Sequence, residues 1–367
     1  MHLENLQIVN FKSWDQADFK FSPKLNCFVG PNGSGKTNIL DAVHYLSVCK
    51  SYFNPIDSQN IKDQREFFVV EVDFFINYST EHIYCGVKRG EKKLFSRNKK
   101  PYKRLSDHIG RFPSVIISPY DRDLITEGSE VRRKFMDAVI SQSDGIYLDD
   151  VIQYNKALQQ RNALLKYFAA NNTFERAGLE LYNQQMQERG ERIYAKRHAF
   201  LEELAPRLTD YYNRISSRAE EPGIRYVSQL NETEFPDLLE KYLQQDMRNQ
   251  YSGAGIHRDD LEFTIDKRKV KRFGSQGQQK SFLIALKLAQ YEFLREKQGV
   301  KPVLLLDDIF DKLDEKRVSE LVRLVHDESF GQIFITDTHP ERTERLVREI
   351  DEKAQVFNLE ESVHERQ

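Results

Sequence analysis

The stretch at residues 30–37 constrains this chain more than any other feature of its sequence. It reads GPNGSGKT and follows an apolar run at 25–29 that predicts a short strand. The residues after it show helical periodicity, with Ile39, Val43 and Leu46 on one face. A strand, a glycine-rich turn and a helix in this order are the context of a phosphate-binding loop. The alternative is an ordinary glycine-rich turn before a helix.

The residue types in this loop are suited to binding an anion. Its glycines let the backbone fold back so that successive amide groups point at one anion, and the N-terminus of the helix adds positive potential. Lys36 is predicted to bridge the terminal phosphates of a nucleotide, and the Thr37 hydroxyl to hold magnesium. The predicted phosphate-contacting residues are Gly30, Pro31, Asn32, Gly33, Ser34, Gly35, Lys36, Thr37 and Asn38.

Two carboxylates follow another apolar run much later in the chain. Residues 303–306 read VLLL and predict a buried strand, which ends at Asp307 and Asp308. Ligands of open parallel sheets collect at the carboxyl ends of the strands. Asp307 is therefore predicted to hold magnesium through a water molecule beside Thr37, and Asp308 to orient or deprotonate an attacking water. A solvated strand end or a helix cap is the alternative.

Length and composition exclude several classes of protein. The chain has 367 residues, more than twice the ~150 of one typical domain, so two lobes are expected. Hydrophobic residues make up 39% and charged residues 31%, which argues against a disordered or collagen-like chain. No apolar run approaches the ~18 residues of a membrane span, so we expect a soluble, cytoplasmic protein. Cys27, Cys49 and Cys85 lack CxxC spacing, which argues against a disulfide framework or a structural zinc.

The order of elements predicts an α/β fold with an inserted helical segment. Apolar runs at 115–117, 303–306 and 332–335 are separated by helical patterns, as in a sheet covered on both faces. From about residue 129 to 212 the chain is rich in Leu, Ala, Gln, Arg and Glu and has almost no Pro or Gly, which predicts helices. This middle segment separates the phosphate-binding loop from the acidic strand end.

A short polar motif opens the helical stripe predicted at 273–295. It consists of Ser275, Gln276, Gly277 and Gln278. Ser275 and Gln278 have the spacing of an ordinary capping box. A glycine-containing helix N-terminus is also suited to binding a γ-phosphate. The residues alone leave both interpretations open.

This motif resembles the S-x-G-Q signature of ABC-type ATPases. In that family the signature of one subunit closes over nucleotide held by the phosphate-binding loop of another, so the resemblance implies ATP, magnesium and an ATP-dependent homodimer. Residues 310–314, FDKLD, fit the family's D-loop. At the switch strand the family usually has His, whereas this chain has Asp337 and then His339, and either could sense the γ-phosphate. No Q-loop glutamine follows 115–117, and an acidic group from 120–123, YDRD, is expected near the metal instead.

The resemblance narrows to the RecF family of bacterial recombination mediators. Lys36 and Ser275 are 239 residues apart, which exceeds the insertion of transporter subunits and falls short of SMC-type coiled coils. The resembling stretches span nearly the whole chain and read NFKSW, GPNGSGKTNILDAV, SPYDRDLITEGSEVRRKFMD, YNKALQQRNALLK, GIHRDDLEF, GSQGQQKSFLIALKLAQ and LLLDDIFDKLD.

The resemblance implies an ABC-type P-loop ATPase head, lobe I, with an inserted mainly helical lobe II. Lobe I is expected at residues 1–117 and 256–367, and lobe II at 118–255. Further nucleotide contacts implied by the resemblance are Lys12, Ser275, Gly277, Gln278, Asp337 and His339. We expect the helical arginines Arg132, Arg133 and Arg161 to be solvated or paired, and the loop at 257–260 to act in lobe contact or nucleotide sensing.

A basic segment at 88–104 is the predicted DNA contact. It reads KRGEKKLFSRNKKPYKR, with nine Lys or Arg against Glu91, although the net charge of the whole chain is -2. Closely spaced cations neutralise phosphates without reading bases. RecF-like proteins bind DNA, so the resemblance favours this role over a solvated face. The candidates are Lys92, Lys93, Arg97, Lys99, Lys100, Lys103 and Arg104, with the run at 267–272, KRKVKR, as a second contact.

The resemblance implies a slow ATPase that acts as a switch in recombinational repair. ATP would join two heads, the dimer would bind DNA at gaps or at junctions of single and double strands, and hydrolysis would release it. The implied partners are RecR and, with RecO, the RecA recombinase that is loaded. The alternatives are the ATPase subunit of an ABC-type transporter, that of an OLD-type nuclease, and a module that binds ATP without hydrolysing it.

Overall fold

The structure is a computed structural model that describes residues 1–216, 220–309, 323–324 and 327–359. Its strands are β1 (His2–Phe11), β2 (Trp14–Lys20), β3 (Leu25–Val29), β4 (Phe67–Ile76), β5 (Ser79–Lys88), β6 (Leu94–Arg97), β7 (Lys100–Pro101), β8 (Ser114–Ile117), β9 (Pro222–Val227), β10 (Asp260–Ile265), β11 (Arg268–Lys269), β12 (Val303–Leu306), β13 (Ile333–Asp337) and β14 (Gln355–Asn358). Its helices are α1 (Lys36–Val48), α2 (Asp123–Thr126), α3 (Ser129–Ser143), α4 (Gly145–Asn171), α5 (Arg176–Ile215), α6 (Phe235–Asn249), α7 (Val270–Phe273), α8 (Gln276–Gln298) and α9 (Pro340–Ile350).

The chain divides into two compact units. The head unit contains Met1–Asp121 and Gln290–Gln367, and the arm unit contains Arg122–Ala289. This division differs from the expected lobe boundaries at residues 118 and 256. The segment 118–121 belongs to the head unit because Asp121 is hydrogen-bonded to Tyr52. Residues 256–289 group with the arm unit because β10 pairs along its whole length with β9.

A parallel sheet in the head unit contains the predicted apolar strands. Its order is β14-β3-β13-β12-β8, and β3, β8 and β12 are buried at every residue. Short runs without polar alternation are what a sheet covered on both faces requires. The register sets Leu306 opposite both Ile335 and Ile117. The residues that follow these strands therefore meet at one edge, and the predicted α/β fold is confirmed.

An antiparallel sheet, β2-β1-β4-β5-β6-β7, completes the head unit. Strand β4 alternates in burial, so Phe68 and Val70 enter the core while their neighbours are partly exposed. These side chains pack in one hydrophobic core with Val43 of α1 and with Phe28 and Phe334 of the parallel sheet. Helix α1 thus contacts strands of both sheets, which fixes the loop at its N-terminus from two sides.

The arm unit contains the predicted helical segment, observed as α3, α4 and α5, together with α6 and the sheet β11-β10-β9. Its helical arginines are paired, as expected. Arg161 is buried and donates to Asp246 Oδ2 at 2.7 Å and to Ser252 Oγ at 2.6 Å. Arg132 forms a bidentate pair with Asp260 at 2.6 and 3.0 Å. No helix within the described ranges has the length and hydropathy of a bilayer-spanning segment.

The loop at 257–260 belongs to this arm network. Asp259 is buried and accepts from Arg197 Nη1 at 2.9 Å, and Arg133 donates to the Asp259 carbonyl at 2.6 Å. His257 Nδ1 lies 2.9 Å from the Tyr154 hydroxyl, and its Nε2 lies 3.0 Å from the carbonyl of a neighbouring loop residue. Most of the polar side chains of this loop are therefore engaged inside the arm unit.

Candidate functional site

The loop at 30–37 has the conformation that its glycines predict. Gly33 and Gly35 have φ angles of 84° and 94°, in the left-handed region that favours glycine. A Cβ on Gly35 would lie 2.7 Å from Trp14 Nε1, and that nitrogen donates to the Gly35 carbonyl at 3.1 Å. Helix α1 begins at the next residue, Lys36. The loop is therefore held by its own backbone and by Trp14 at the start of β2.

Lys36 is folded back over this loop. Its ammonium group donates to the carbonyls of Gly30 and Pro31, both at 2.7 Å, and the residue is buried. Burial lowers the pKa of Lys36, and the nearby carboxylates, Asp308 first among them, oppose that shift. The ammonium group is thus placed where phosphate oxygens can replace the two carbonyls.

Ser34 has a buried hydroxyl for which the described residues offer no hydrogen-bond partner. Buried polar groups are almost always hydrogen-bonded, so this hydroxyl fits a ligand that brings acceptor atoms, such as phosphate oxygens. Asn38 in the first turn of α1 donates instead to Ser13 Oγ at 2.8 Å. Pro31, Asn32 and Gly33 form the exposed outer part of the loop.

Asp307 lies at the centre of a cluster of hydroxyl groups. Its Oδ1 accepts from Thr37 Oγ1 and Thr336 Oγ1, both at 2.9 Å, and its Oδ2 accepts from Ser118 Oγ at 3.5 Å. Burial raises the pKa of Asp307, and the hydrogen bonds oppose this shift. Hydroxyl and carboxylate oxygens are the ligands that Mg²⁺ prefers. The residues predicted from sequence to hold the metal, Thr37 and Asp307, are in direct contact.

Asp308 follows in a conformation that is uncommon for a residue with a side chain. Its φ angle is 47°, and its backbone N–H donates to Thr336 Oγ1 at 2.9 Å. Thr336 therefore connects both acidic residues to the end of β13.

Asp337 and His339 lie in different surroundings after β13. Asp337 is buried and accepts from Arg342 Nη2 at 3.0 Å and from the Thr343 hydroxyl. His339 occupies the N-cap position of α9, makes no side-chain cap hydrogen bond, and is exposed. The Asp337 carboxylate is thus engaged with α9, and the His339 ring is accessible.

Lys12 contacts α1 rather than the loop itself. Its ammonium group forms an ion pair with Asp41 at 2.6 Å, and Asp41 is fully buried. The same ammonium group lies 5.2 Å from the ring centroid of Phe53. The contact between Lys12 and a nucleotide, which the resemblance implies, stays a prediction.

The predicted signature residues lie at the N-terminus of α8, in the arm unit. The backbone N–H of Ser275 donates to Gln278 Oε1 at 2.7 Å, and the Gln278 N–H donates to Ser275 Oγ at 3.2 Å. The capping box predicted from the sequence is therefore present. Ser275 and Gly277 are exposed, and Gln278 Nε2 donates to Glu220 at 3.0 Å. The D-loop candidate at 310–314 falls outside the described residues.

The basic segment at 88–104 divides into paired and exposed cations. Lys93 pairs with Asp57 at 2.8 Å, and Arg97 forms a bidentate pair with Glu81 at 2.6 and 2.9 Å. Five of the DNA candidates have exposed side chains: Lys92, Lys99, Lys100, Lys103 and Arg104. Lys99 follows Asn98 in a tight turn between β6 and β7, where both residues have positive φ angles.

Asp121 lies in the stretch 120–123, from which the sequence predicts an acidic group near the metal, and it is buried and accepts from the Ser118 N–H at 2.8 Å. Two site residues, Ser118 and Thr336, escaped the sequence prediction, and both donate to Asp307. Their sequence signal was their place just after, or at the end of, apolar strands that neighbour 303–306 in the sheet. The carboxyl ends of parallel strands collect ligand-binding groups, so a search of these strand ends for polar residues would have found them.

Comparison with known proteins places these features in one family. The profile of the RecF/RecN/SMC N terminal domain matches residues 2–365. The DNA replication and repair protein RecF of Flavobacterium johnsoniae is 54% identical over 98% of this chain and 100% of its own length. The corresponding protein of Phocaeicola vulgatus is 48% identical over 98% of this chain and 97% of its own length.

Solved structures agree with the sequence comparison. A structure of the recombination mediator protein RecF with ATP, from the RecFOR pathway, is similar with a TM-score of 0.85 and 32% identity, over 92% of each chain. The Smc head domain of Pyrococcus furiosus bound to the C-terminal domain of ScpA shares the fold alone, with a TM-score of 0.54 and 18% identity, over 94% of this chain and 91% of its own. With full-length identity near one half and an ABC/SMC-type ATPase fold, the chain belongs to the RecF family.

Proposed function

We propose that the chain is an ATP-dependent DNA-binding recombination mediator, in which ATP joins two copies and hydrolysis separates them. The observation that carries this proposal is the contact at 2.9 Å between Thr37 of the phosphate-binding loop and Asp307. A hydroxyl group beside a buried carboxylate at this loop is suited to a nucleotide with its magnesium ion. The RecF relatives, one of them solved with ATP, support the same role.

Nucleotide binding is assigned to residues of the phosphate-binding loop and to Asp307. The loop amides and the Ser34 hydroxyl contact the phosphates, and Lys36 moves from the carbonyls of Gly30 and Pro31 to the terminal phosphate oxygens. Thr37 and Asp307 would hold magnesium. When it is bound, the ion would neutralise part of the phosphate charge. The oxygen donors at this position fit that ion, because Mg²⁺ takes hydroxyl and carboxylate ligands along with phosphate oxygens.

Hydrolysis is assigned to Asp308 and Lys36. Asp308 orients an attacking water and accepts its proton, and Lys36 stabilises the negative charge on the transferred phosphoryl group. His339 is the better placed sensor of the γ-phosphate, because the Asp337 carboxylate is already bonded to Arg342 and the Thr343 hydroxyl. The reaction is slow and acts as a switch.

A second copy completes the nucleotide site in this proposal. Ser275 and Gly277 are exposed at the tip of α8, where the helix N-terminus favours an anion. The Ser275 hydroxyl, now bonded to the Gln278 N–H, turns to the γ-phosphate of the nucleotide held by the other copy. ATP therefore stabilises a homodimer, and its hydrolysis weakens it.

DNA binding is assigned to exposed basic residues in each unit. In the head unit these are Lys92, Lys99, Lys100, Lys103 and Arg104. In the arm unit the hairpin between β10 and β11 and the short helix α7 expose Lys267, Arg268, Lys271 and Arg272. Such contacts neutralise phosphates and are independent of base sequence. The target is a gap or a junction of single and double strands, and the partners are RecR and, with RecO, RecA in the cytoplasm.

The molar mass of the full chain in solution tests the switch. We expect a monomer with ADP and a dimer with ATP and DNA, and the dimer should persist with ATP in Asp308→Asn. That variant should bind ATP normally and lose hydrolysis by at least about a hundredfold, as expected when the group that takes the water proton is removed. A monomer under every condition contradicts the proposed dimer, and unchanged hydrolysis in Asp308→Asn contradicts the assigned base.

Charge reversal tests the DNA contact. Lys99→Glu combined with Lys100→Glu should weaken binding to a gapped duplex about tenfold or more at low salt, with a smaller difference at high salt. Lys20→Glu is the matched control, because Lys20 is also exposed in the head unit but lies in β2, outside the basic segment. Binding that does not change with salt, or equal losses in the two variants, would remove the basic segment from the proposal.

A further inference from the structure

A chain of hydrogen bonds connects Tyr52 to Asp307 in the head unit. The Tyr52 hydroxyl donates to Asp121 Oδ1 at 2.5 Å, and Asp121 Oδ2 accepts from the Ser118 N–H at 2.8 Å. The Ser118 hydroxyl in turn donates to Asp307 Oδ2 at 3.5 Å. Asp121, Ser118 and Asp307 are each buried by more than nine-tenths, so the two bonds of Ser118 are shielded from water.

Two hydrogen bonds between Ser118 and Asp121 close the turn at 118–121. In addition to the bond from the Ser118 N–H to the Asp121 carboxylate, the Asp121 N–H donates to the Ser118 carbonyl at 3.0 Å. This pairing fixes the backbone of Ser118 at the end of β8, and strand register places it beside Asp307. The position of the Ser118 side chain therefore depends on Asp121, and the Tyr120 N–H donates to the Ser118 hydroxyl at 3.4 Å.

Tyr52 is itself held on its backbone side. Its N–H donates to Asp41 Oδ1 at 2.7 Å, and Ser51 Oγ donates to Asp41 Oδ2 at 2.6 Å. Asp41 belongs to α1, the helix that begins at the phosphate-binding loop, and Lys12 neutralises it. Tyr52 thus joins α1 to the turn at 118–121 through two fixed ends.

The two oxygens of Asp307 have different partners. Oδ1 accepts from Thr37 and Thr336, whereas Oδ2 accepts from Ser118. A cation would take a lone pair of the Thr37 hydroxyl oxygen, whose proton can still go to Oδ1, so Thr37, Thr336 and Ser118 together would orient the carboxylate. A carboxylate held at both oxygens keeps the geometry that a small cation with strict octahedral ligation requires.

We propose that Tyr52, Asp121 and Ser118 are positioning residues that hold Asp307 in the orientation for magnesium. The turn at 118–121 performs this task through a backbone-anchored serine hydroxyl, in a chain with no glutamine at 118–123. The inference rests on the proposed nucleotide site. It assigns to Tyr52 a role in metal affinity, although its hydroxyl does not contact Asp307 directly.

Manganese binding measures this role without relying on turnover. The full chain is saturated with ADP and titrated with Mn²⁺, and free Mn²⁺ is followed by electron paramagnetic resonance. We expect Ser118→Ala and Tyr52→Phe each to weaken Mn²⁺ binding about three- to tenfold, the range for one hydrogen bond. ADP affinity in EDTA should stay within about twofold of the unchanged chain, because the loop contacts are kept. The double variant should lose less than the product of the single losses, since Tyr52 reaches Asp307 only through Asp121 and the Ser118 hydroxyl.

The head unit offers matched controls for both substitutions. The Tyr45 hydroxyl donates to Asp57 at 2.5 Å, and Ser47 Oγ donates to the Phe112 carbonyl at 2.5 Å. Tyr45→Phe and Ser47→Ala remove comparable bonds that do not lead to Asp307, so Mn²⁺ affinity should not change. Unchanged Mn²⁺ affinity in Ser118→Ala and Tyr52→Phe, or equal losses in the controls, overturns the inference. If the unsubstituted chain binds ADP but no Mn²⁺, the proposed metal site itself fails, and the inference fails with it.

Discussion

Asp246 of the arm unit and Asp307 of the head unit are both buried carboxylates, but opposite kinds of donor hold them. In the arm unit Asp246 faces Arg161 at 2.7 Å, and neither side chain is more than 1% exposed. In the head unit Asp307 is held by the hydroxyls of Thr37, Thr336 and Ser118. Across the ranges that the structure describes, no Lys or Arg forms an ion pair with Asp307.

The difference fits a structural role for Asp246 and the proposed cation-binding role for Asp307. An arginine neutralises the charge it contacts, so the Arg161 pair has little left to offer a ligand. Hydroxyl donors orient a carboxylate but leave its negative charge uncompensated, which suits it to a cation. Asp41 with Lys12 and Asp337 with Arg342 follow the arm pattern inside the head unit. The type of donor therefore distinguishes Asp307 from Asp41 and Asp337.

Removing Arg161 from its pair with Asp246 in the arm unit should have the largest effect on the free energy of unfolding. Arg161→Ala leaves Asp246 buried without a counter-charge, and such a loss costs about 3–5 kcal/mol of the free energy of unfolding. Urea denaturation measures the loss, and hydrogen exchange should localise it to α4 and α6. Arg176→Ala is the matched control, because its pair with Glu240 has the same distance of 2.7 Å but is more than 60% exposed. The control should change stability by less than about 1 kcal/mol, and equal effects in the two variants would break the comparison.

Acid should weaken both units, because each buries a neutral histidine between a tyrosine hydroxyl and a backbone carbonyl. Burial lowers the pKa of His108 and of His257 to about 4. In the unfolded chain the two histidines bind protons near their ordinary pKa of 6.5. The free energy of unfolding therefore keeps its full value above that pH and decreases as the pH falls toward 4. His257→Gln should reduce the loss between pH 7 and 4.5 by about 2–3 kcal/mol. Denaturation curves at several pH values measure it, and parallel curves for the variant and the unchanged chain would contradict a neutral His257.

Neutralising Asp307 should have the smallest effect on stability. Its raised pKa means that the ionised carboxylate disfavours the folded state above the pKa of an unfolded aspartate. Asp307→Asn should therefore leave the free energy of unfolding of the ligand-free protein within about 1 kcal/mol of its original value, or increase it. Asp246→Asn, the same chemical change in the arm unit, should lower it by about 3 kcal/mol or more. The melting temperature with ADP and Mn²⁺ should also fall to its value with ADP alone in Asp307→Asn. Similar losses from the two substitutions would remove the distinction between the units.

Local motifs explain which parts of the site the sequence could predict. The loop, Lys36, Thr37 and the acidic pair each depend on a few adjacent residues, and the structure brings Thr37 to Asp307. Ser118 is 189 positions from Asp307 and Thr336 is 29 positions away. They reach the carboxylate only through the register of three parallel strands, which no local pattern specifies.

Counting charges could not predict which cations of the basic segment are paired. The segment at 88–104 contains nine cations, but composition cannot reveal that Lys93 meets Asp57 or that Arg97 meets Glu81. Strand β2 was also missed, because most of its residues are polar and only Trp14 and Phe19 are buried. Its pairing with β1 supplies the backbone hydrogen bonds that its own sequence does not predict.

The contact between Trp14 and the Gly35 carbonyl has a practical consequence. Trp14 is the only tryptophan in the chain, and its indole nitrogen touches the turn that would cradle a nucleotide. Indole emission responds to local polarity and to hydrogen bonding, so the unlabelled protein contains an optical reporter at the mouth of its own site. Nucleotide exchange can therefore be followed in real time without attaching a dye.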